Sequence, residues 1–135
     1  MTFLVDSNIL SEPTKPEPDV RIQEWLRLNE EQLVVDPIIL GEVRLGVLKL
    51  PHGRKRQILG DWFNKVVMSI VCLPWDAAIA MRWAQLVADL RRGGKSMPLQ
   101  DSMIAATALS HGLTVVTRNV KDFENAGLSV VNPFE

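Results

Sequence analysis

The chain has little of what marks several protein classes. It carries a single cysteine in 135 residues, so no internal disulfide can form. That residue, Cys72, lies in the apolar run Ile70-Val71-Cys72-Leu73, where a reduced, buried thiol is expected, and a reducing cytoplasm is the simplest compartment for it. No apolar stretch approaches the roughly 20 residues needed to cross a bilayer. The opening Met1-Thr2-Phe3-Leu4-Val5-Asp6 has neither a basic flank nor a cleavage pattern, so membrane insertion and secretion are not expected. The two histidines, His52 and His111, are isolated from each other and from any ligand spacing, which removes a histidine-based centre. An excess of one charge is also missing: 15 basic against 16 acidic groups leave a net charge of -1. The molecule as a whole therefore has no attraction for a polyanion, and any such contact must be arranged locally.

What is present fits one domain over residues 1–135. Apolar residues make up 47% and charged residues 23%, ordinary globular values, and the length suffices to bury a core without staples. No repeat, low-complexity tract or linker divides the chain. Short β-branched runs alternate with helical periodicities, the pattern of an α/β domain with a mainly parallel sheet. Strands are predicted at Phe3–Val5, Leu33–Val35, Ile70–Leu73, Leu113–Thr117 and Leu128–Val131. Most are unbroken apolar runs, as strands covered on both faces should be, which predicts a three-layer α/β/α sandwich.

Helix signals lie between the strands. Asp36-Pro37 supplies an N-cap followed by proline at the first helical position, leading into Ile38 through Gly46. Ile58, Leu59, Trp62, Phe63, Val66 and Val67 recur at a helical interval as one apolar face. Asp76 caps a helix with the stripe Ile79, Trp83, Leu86 and Leu90. The segment from Arg91 to Pro98 breaks that pattern and reads as a flexible loop. A small-residue helix from Gln100 to Leu109 follows, ended by Gly112.

The acids gain meaning on this frame. Asp6 follows the first strand directly, at the end of the sheet where open parallel sheets place their ligand sites. Asp101 falls in the first turn of the helix before strand Leu113–Thr117, and Asp122 comes just after that strand. Glu42 shares a helix face with Ile38 and Leu45 and points inward, where an unpaired carboxylate is costly. Singly, each of three has an ordinary role: Asp6 as a cap for a turn at Ser7-Asn8, Asp101 as an acid at a helix N-terminus, Asp122 as a turn residue. Gathered in one pocket, such carboxylates repel one another unless a cation neutralises them. Oxygen ligands without histidine or cysteine suit Mg2+ or Mn2+, and phosphodiester hydrolysis is the chemistry such an ion serves.

Other signals carry less. Gly94-Lys95-Ser96 looks like the end of a phosphate-binding loop, but Asp89 replaces the earlier glycine and a helix precedes the segment. Arg54-Lys55-Arg56 opens an amphipathic helix and reads either as its solvated face or as a guide for RNA. Trp25, Trp62, Trp75 and Trp83 fall on or beside apolar stripes and are assigned to the core or a dimer face.

Four segments in order, Phe3-Leu4-Val5-Asp6-Ser7-Asn8, Gly41-Glu42-Val43-Arg44-Leu45-Gly46, Asp101-Ser102-Met103-Ile104-Ala105-Ala106-Thr107-Ala108 and Thr117-Arg118-Asn119-Val120-Lys121-Asp122-Phe123, span nearly the whole chain. Through them it resembles the PIN domain family, and within it the VapC-type toxin ribonucleases of toxin-antitoxin modules, FitB-like branch. The resemblance implies a metal-dependent endoribonuclease using Mg2+ or Mn2+. Asp6 and Asp101 match the principal metal-binding acids, Glu42 the central acid and Asp122 the distal one. Asn8 and Thr117 match supporting polar positions. Asn119 stands where some relatives carry an acid, so here it orients without adding charge. Arg91, Arg92, Lys95, Arg118 and Lys121 are candidates to hold an RNA backbone. Also implied are a homodimer, a cognate antitoxin that covers the groove, and operator DNA contacted only through that antitoxin.

Two other functions compete. An aspartyl phosphotransferase also places an acid after the first strand, but Asp6-Ser7-Asn8 lacks its second acid. The other is a catalytically weak module acting mainly as co-repressor, against which the four acids stand.

Overall fold

The structure, a computed structural model, describes residues 2–135; Met1, where the expected domain begins, lies outside them. Its strands are β1 (Phe3–Val5), β2 (Leu33–Val35), β3 (Val71–Cys72), β4 (Thr114–Val116) and β5 (Val130–Val131). The helices are α1 (Ser7–Leu10), α2 (Val20–Leu28), α3 (Pro37–Leu48), α4 (Arg54–Lys65), α5 (Ala77–Arg92), α6 (Leu99–His111) and α7 (Val120–Phe123). The sheet is parallel throughout, in the order β3-β2-β1-β4-β5. Phe3 stands opposite both Leu33 and Thr114, and Val5 opposite Val116.

Leu4, Val5, Val34, Val35, Val115 and Val116 are all fully buried. Neighbours in a strand point to opposite faces, so both faces of the three central strands are covered. The molecule is thus the α/β/α sandwich that the unbroken apolar runs predict. From β1 the chain builds outward through β2 to β3, then returns to the other flank of β1 with β4. The carboxyl ends of β1 and β4 therefore flank the point where the strand order reverses, which is where open parallel sheets form a crevice.

The expected caps are present. Asp36 accepts from the Ile39 amide at 2.9 Å and Asp76 from the Ile79 amide at 3.0 Å. Gly112 closes α6 in the left-handed region, φ 64, which only glycine occupies cheaply.

Several expectations need correction. The ladders are shorter than the apolar runs: β3 and β4 each lose one residue at either end, and β5 begins at Val130 rather than Leu128, just after the chain turns at Gly127 with φ 72. Arg91 and Arg92 belong to the last turn of α5, not to the loop; cations at a helix C-terminus suit its dipole. On α4 only Phe63, with Val67 just beyond it, is buried, while Ile58 and Val66 are about half exposed, because this helix lies at the margin of the core. Cys72 is exposed rather than buried. It sits on β3, an edge strand, and its neighbour Val71 is likewise 55% exposed. The four tryptophans are half-buried. Trp25 packs edge-on against Phe3, and Trp75 and Trp83 donate to the Met103 carbonyl and the Ser102 hydroxyl at 3.3 and 2.9 Å.

Candidate active site

Asp6 is the first residue beyond β1 and is the cap that its place before Ser7-Asn8 predicts, with its second oxygen held from the end of β4. Its Oδ1 accepts from the Ser7 amide at 2.8 Å and caps α1, while its Oδ2 accepts from Thr117 Oγ1 at 2.8 Å and from Asn8 Nδ2 at 3.3 Å. Thr117, the first residue beyond β4, is fully buried. Asn8 also donates to Thr117 at 3.2 Å and accepts from the Arg118 amide at 3.1 Å, so one side chain ties the ends of both strands together. Burial raises the pKa of Asp6, against the lowering effect of these donors.

α3 contributes Glu42. Ile39, Val43 and Val47 take the core-facing positions of this helix, which leaves Glu42 one step round, at the edge of the core. The face it shares with Ile38 and Leu45 is a rim and not an interior, since Leu45 is 51% exposed. Glu42 Oε1 is nevertheless buried and has no hydrogen-bond partner. Desolvation, then the charges of Asp6 and Asp36, raise its pKa, with the Ser7 hydroxyl opposing them.

α6 delivers Asp101 in its first turn. The next residue, Ser102, accepts from Trp83 and donates to the Leu99 carbonyl at 2.6 Å, which locks the turn that carries Asp101. The Asp101 carboxyl is pushed up to about 7, first by burial, then by the negative charges of Asp6, Asp122 and Glu42. Carboxyl groups from the end of β1, from α3 and from α7 therefore all lie near enough to Asp101 on α6 to act on its charge.

This arrangement suits a hard divalent cation. A carboxyl pushed up to about 7 by burial and then by its acidic neighbours, and a buried carboxylate oxygen without a donor, are both relieved by positive charge. Among the described residues no three acids, histidines or cysteines close tightly enough to enclose an ion alone, so an ion here would complete its shell with water, as magnesium does.

The basic candidates divide. Arg118 and Lys121 line a cavity of about 320 Å3 together with Asn119 and Asp122. Arg118 is already engaged: it pairs with Glu12 at 3.4 Å and lies 3.9 Å over the Phe134 ring. Arg91 and Lys95 line a separate hollow of about 80 Å3 beside Ser102, and Arg92 pairs with Asp89 at 3.0 Å. Asn119 caps α7 through its backbone alone, its amide donating to Thr117 Oγ1 at 3.1 Å.

The sequence reading took Asp36 only as a helix cap and missed Glu12. Asp36, fully buried, follows β2 as Asp6 follows β1, and accepts from Thr107 at 2.7 Å; an acid directly after a strand was a signal available to find it. Glu12 is buried and pairs with both Lys15 and Arg118. Its pairing with Arg118 joins residues 106 apart, for which no local pattern exists.

A family model described as PIN domain matches residues 3–127. Toxin FitB of Neisseria gonorrhoeae is 36% identical over 136 residues, with 98% of each chain covered. VapC ribonuclease Y4jK of Sinorhizobium fredii is 35% identical over 137 residues, again with 98% of each covered. Among solved structures, FitAcB from Neisseria gonorrhoeae superposes with a TM-score of 0.93 at 34% identity, covering 99% of each chain. FitAB bound to an IR36 DNA fragment gives the same score at 33% identity, covering 99% of this chain and 96% of that one. With the sheet order, the acidic rim and these likenesses in agreement, the chain belongs to the PIN domain family.

Proposed function

We propose that this protein is a metal-dependent endoribonuclease, the toxin of a type II toxin-antitoxin module, which hydrolyses RNA phosphodiester bonds at the acidic rim. The observation that carries the reading is the convergence of Asp6, Glu42 and Asp122 on Asp101, whose carboxyl is pushed up to about 7 by burial first and then by their charges. Relatives named as a VapC ribonuclease and as toxin FitB support it. Mg2+ or Mn2+, when bound, would neutralise the scissile phosphate and lower the pKa of the attacking water.

The chain's own residues supply the rest. Asp6 and Asp101 hold the cation, and Thr117 and Asn8 fix the rotamer of Asp6. Glu42 accepts a hydrogen bond from the attacking water through its partnerless oxygen and aligns it opposite the leaving oxygen. Asp122 sets the charge on Asp101, and Lys121 with Arg118 holds the RNA backbone beside it. Arg91 and Arg92 at the end of α5 and Lys95 in the loop beyond it extend that contact. The protein acts as a homodimer in the cytoplasm, restrained by a cognate antitoxin that covers the rim.

A second reading, a catalytically weak co-repressor, has one observation in its favour: the similar FitAB complex was solved on DNA. One experiment separates them. Purified protein is incubated with a panel of RNAs in Mg2+ or Mn2+, with chelator, and as Asp101→Asn. Cleavage that needs both the metal and Asp101 is expected. Equal cleavage by the variant defeats the site assignment, activity that survives chelator defeats the metal requirement, and no cleavage under any condition favours the co-repressor.

A further inference from the structure

A cavity of about 550 Å3 lies between the C-terminal half of α3 and the start of α4, lined in part by Arg44, His52, Arg54, Arg56 and Gln57. No aspartate or glutamate lines it. Arg21, Arg27, Arg92 and Arg118 pair with carboxylates; Arg44, Arg54 and Arg56, like Arg82 and Arg91 elsewhere, form no ion pair among the described residues, but only these three gather in one cavity. Arg44 is instead steadied by the Phe63 ring, 5.4 Å from its guanidinium carbon, which leaves its N–H groups unspent. Arg56 lies 2.9 Å from the ring nitrogens of His52.

The helix behind this pocket is built against its own stability. α4 begins on Gly53, which has no side chain to cap with and whose φ of 153 suits glycine, and no acid occupies the first turn. The leading amides therefore lack a side-chain acceptor. A helix N-terminus is electropositive and favours acids, yet this one opens with Arg54-Lys55-Arg56. Three cations on an uncapped positive pole destabilise the free protein, and a bound anion would offset that cost. Arginine forks and free amides are both matched to phosphate oxygens.

The geometry points to a binding subsite for the RNA backbone here, a phosphate cradle formed by Arg44, Arg54, Arg56 and the first turn of α4. This rests on the ribonuclease reading. Glu42 and Arg44 are two positions apart on α3, so they project about 200° apart around a helix roughly 10–12 Å thick. A single strand lying across α3 thus reaches the acidic rim on one flank and the cradle on the other. The subsite grips the substrate away from the scissile bond and gives a protein of net charge -1 its local hold on a polyanion.

The test measures binding of a fluorescein-labelled single-stranded RNA to the full chain carrying Asp101→Asn, across a range of salt. Adding Arg54→Gln and Arg56→Gln is expected to weaken affinity about tenfold at 0.1 M salt. The slope of log K against log salt should become shallower by about 1.4, from about 0.7 per phosphate contact on a single strand. The melting temperature should not fall, since two cations leave a positive helix pole. A control pair on α2, Arg21→Gln with Arg27→Gln, should leave affinity unchanged. Unchanged affinity and slope in the pocket variant overturn the subsite, as does an equal loss in the control. So does a pocket variant that binds RNA normally but loses an acidic antitoxin peptide. If wild-type protein still cleaves RNA in any of these cases, the ribonuclease reading stands without the subsite; if it neither binds nor cleaves RNA, both fall.

Discussion

Thr117 Oγ1 donates a 2.8 Å hydrogen bond to Asp6 Oδ2 across 111 residues of sequence. Each is the first residue past its strand, and the β1–β4 register that sets Val5 against Val116 brings them together. The bond fixes one oxygen of Asp6 and leaves its carboxylate aimed at the rim. Thr117→Val keeps the shape and removes the donor, so the expected result is a 10- to 100-fold loss of RNA cleavage, the usual range for a group that orients a metal ligand. Stability should fall by only about 1 kcal/mol, and Thr117→Ser should recover most of the activity. Wild-type cleavage rates from Thr117→Val would contradict the role.

Glu42 gives the opposite pairing of effects. Its Oε1 has no donor and its neighbours Asp6 and Asp36 repel it, so its charge contributes nothing favourable to the metal-free fold. Glu42→Gln should leave the thermal midpoint in chelator unchanged or raise it, while cleavage drops by about two orders of magnitude or more, the scale of a lost positioned acid-base group. A variant that melts lower and cleaves normally would show Glu42 to be structural.

Asp101 links stability to pH. Its carboxyl titrates at about 7 in the fold against a reference of 3.8, so between these values the folded state holds more protons than the unfolded one. Stability from this group is fully present below about 4 and is lost as pH rises through about 7. In chelator the protein should therefore melt higher at pH 5 than at pH 8. Asp101→Asn should remove part of that difference by raising the pH 8 midpoint by a few degrees. The corresponding energy is about 1 kcal/mol, well below what the shift alone implies, because solvent screens a half-buried group. Mg2+ should stabilise the wild type at pH 8 and the variant much less. The same proton competition makes wild-type cleavage decline as pH falls below about 7. A pH-independent difference between the two proteins would refute the linkage.

The strand centres, the caps at Asp36 and Asp76 and the glycine stop at Gly112 were legible because each is a local signal a few residues long. The positions of Asp6, Asp101 and Asp122 were legible because strand ends and helix starts meet at one rim of a parallel sheet. The burial of Cys72 was misjudged because an apolar run does not reveal whether its strand lies at the centre or the edge, which depends on the global strand order. The engagement of Arg118 by Glu12 and Phe134 was invisible for a related reason: charge and aromatic partners far apart in sequence meet only after folding. Asp36 was found as a cap but not as a neighbour of Asp6, since one role seemed a sufficient account of it.

The exposure of Cys72 is open to a direct check. As the chain's single thiol it allows an unambiguous count, and its place on the β3 edge should let a thiol reagent label it fully in the native protein without denaturant. Its pKa lies above the usual value, through partial burial and then the nearby charge of Asp36, so less of it is thiolate at neutral pH than in a free cysteine. Since the thiolate is the reacting form, labelling should be slower than for a small thiol at pH 7 and should keep accelerating above about pH 8.5, where an unperturbed cysteine is half ionised. Asp36→Asn should shift that profile toward lower pH, its Oδ1 keeping the Ile39 amide while its Nδ2 donates to Thr107, whose hydroxyl turns to the Met103 carbonyl. Labelling that requires unfolding would return Cys72 to the interior and place a covering element over β3.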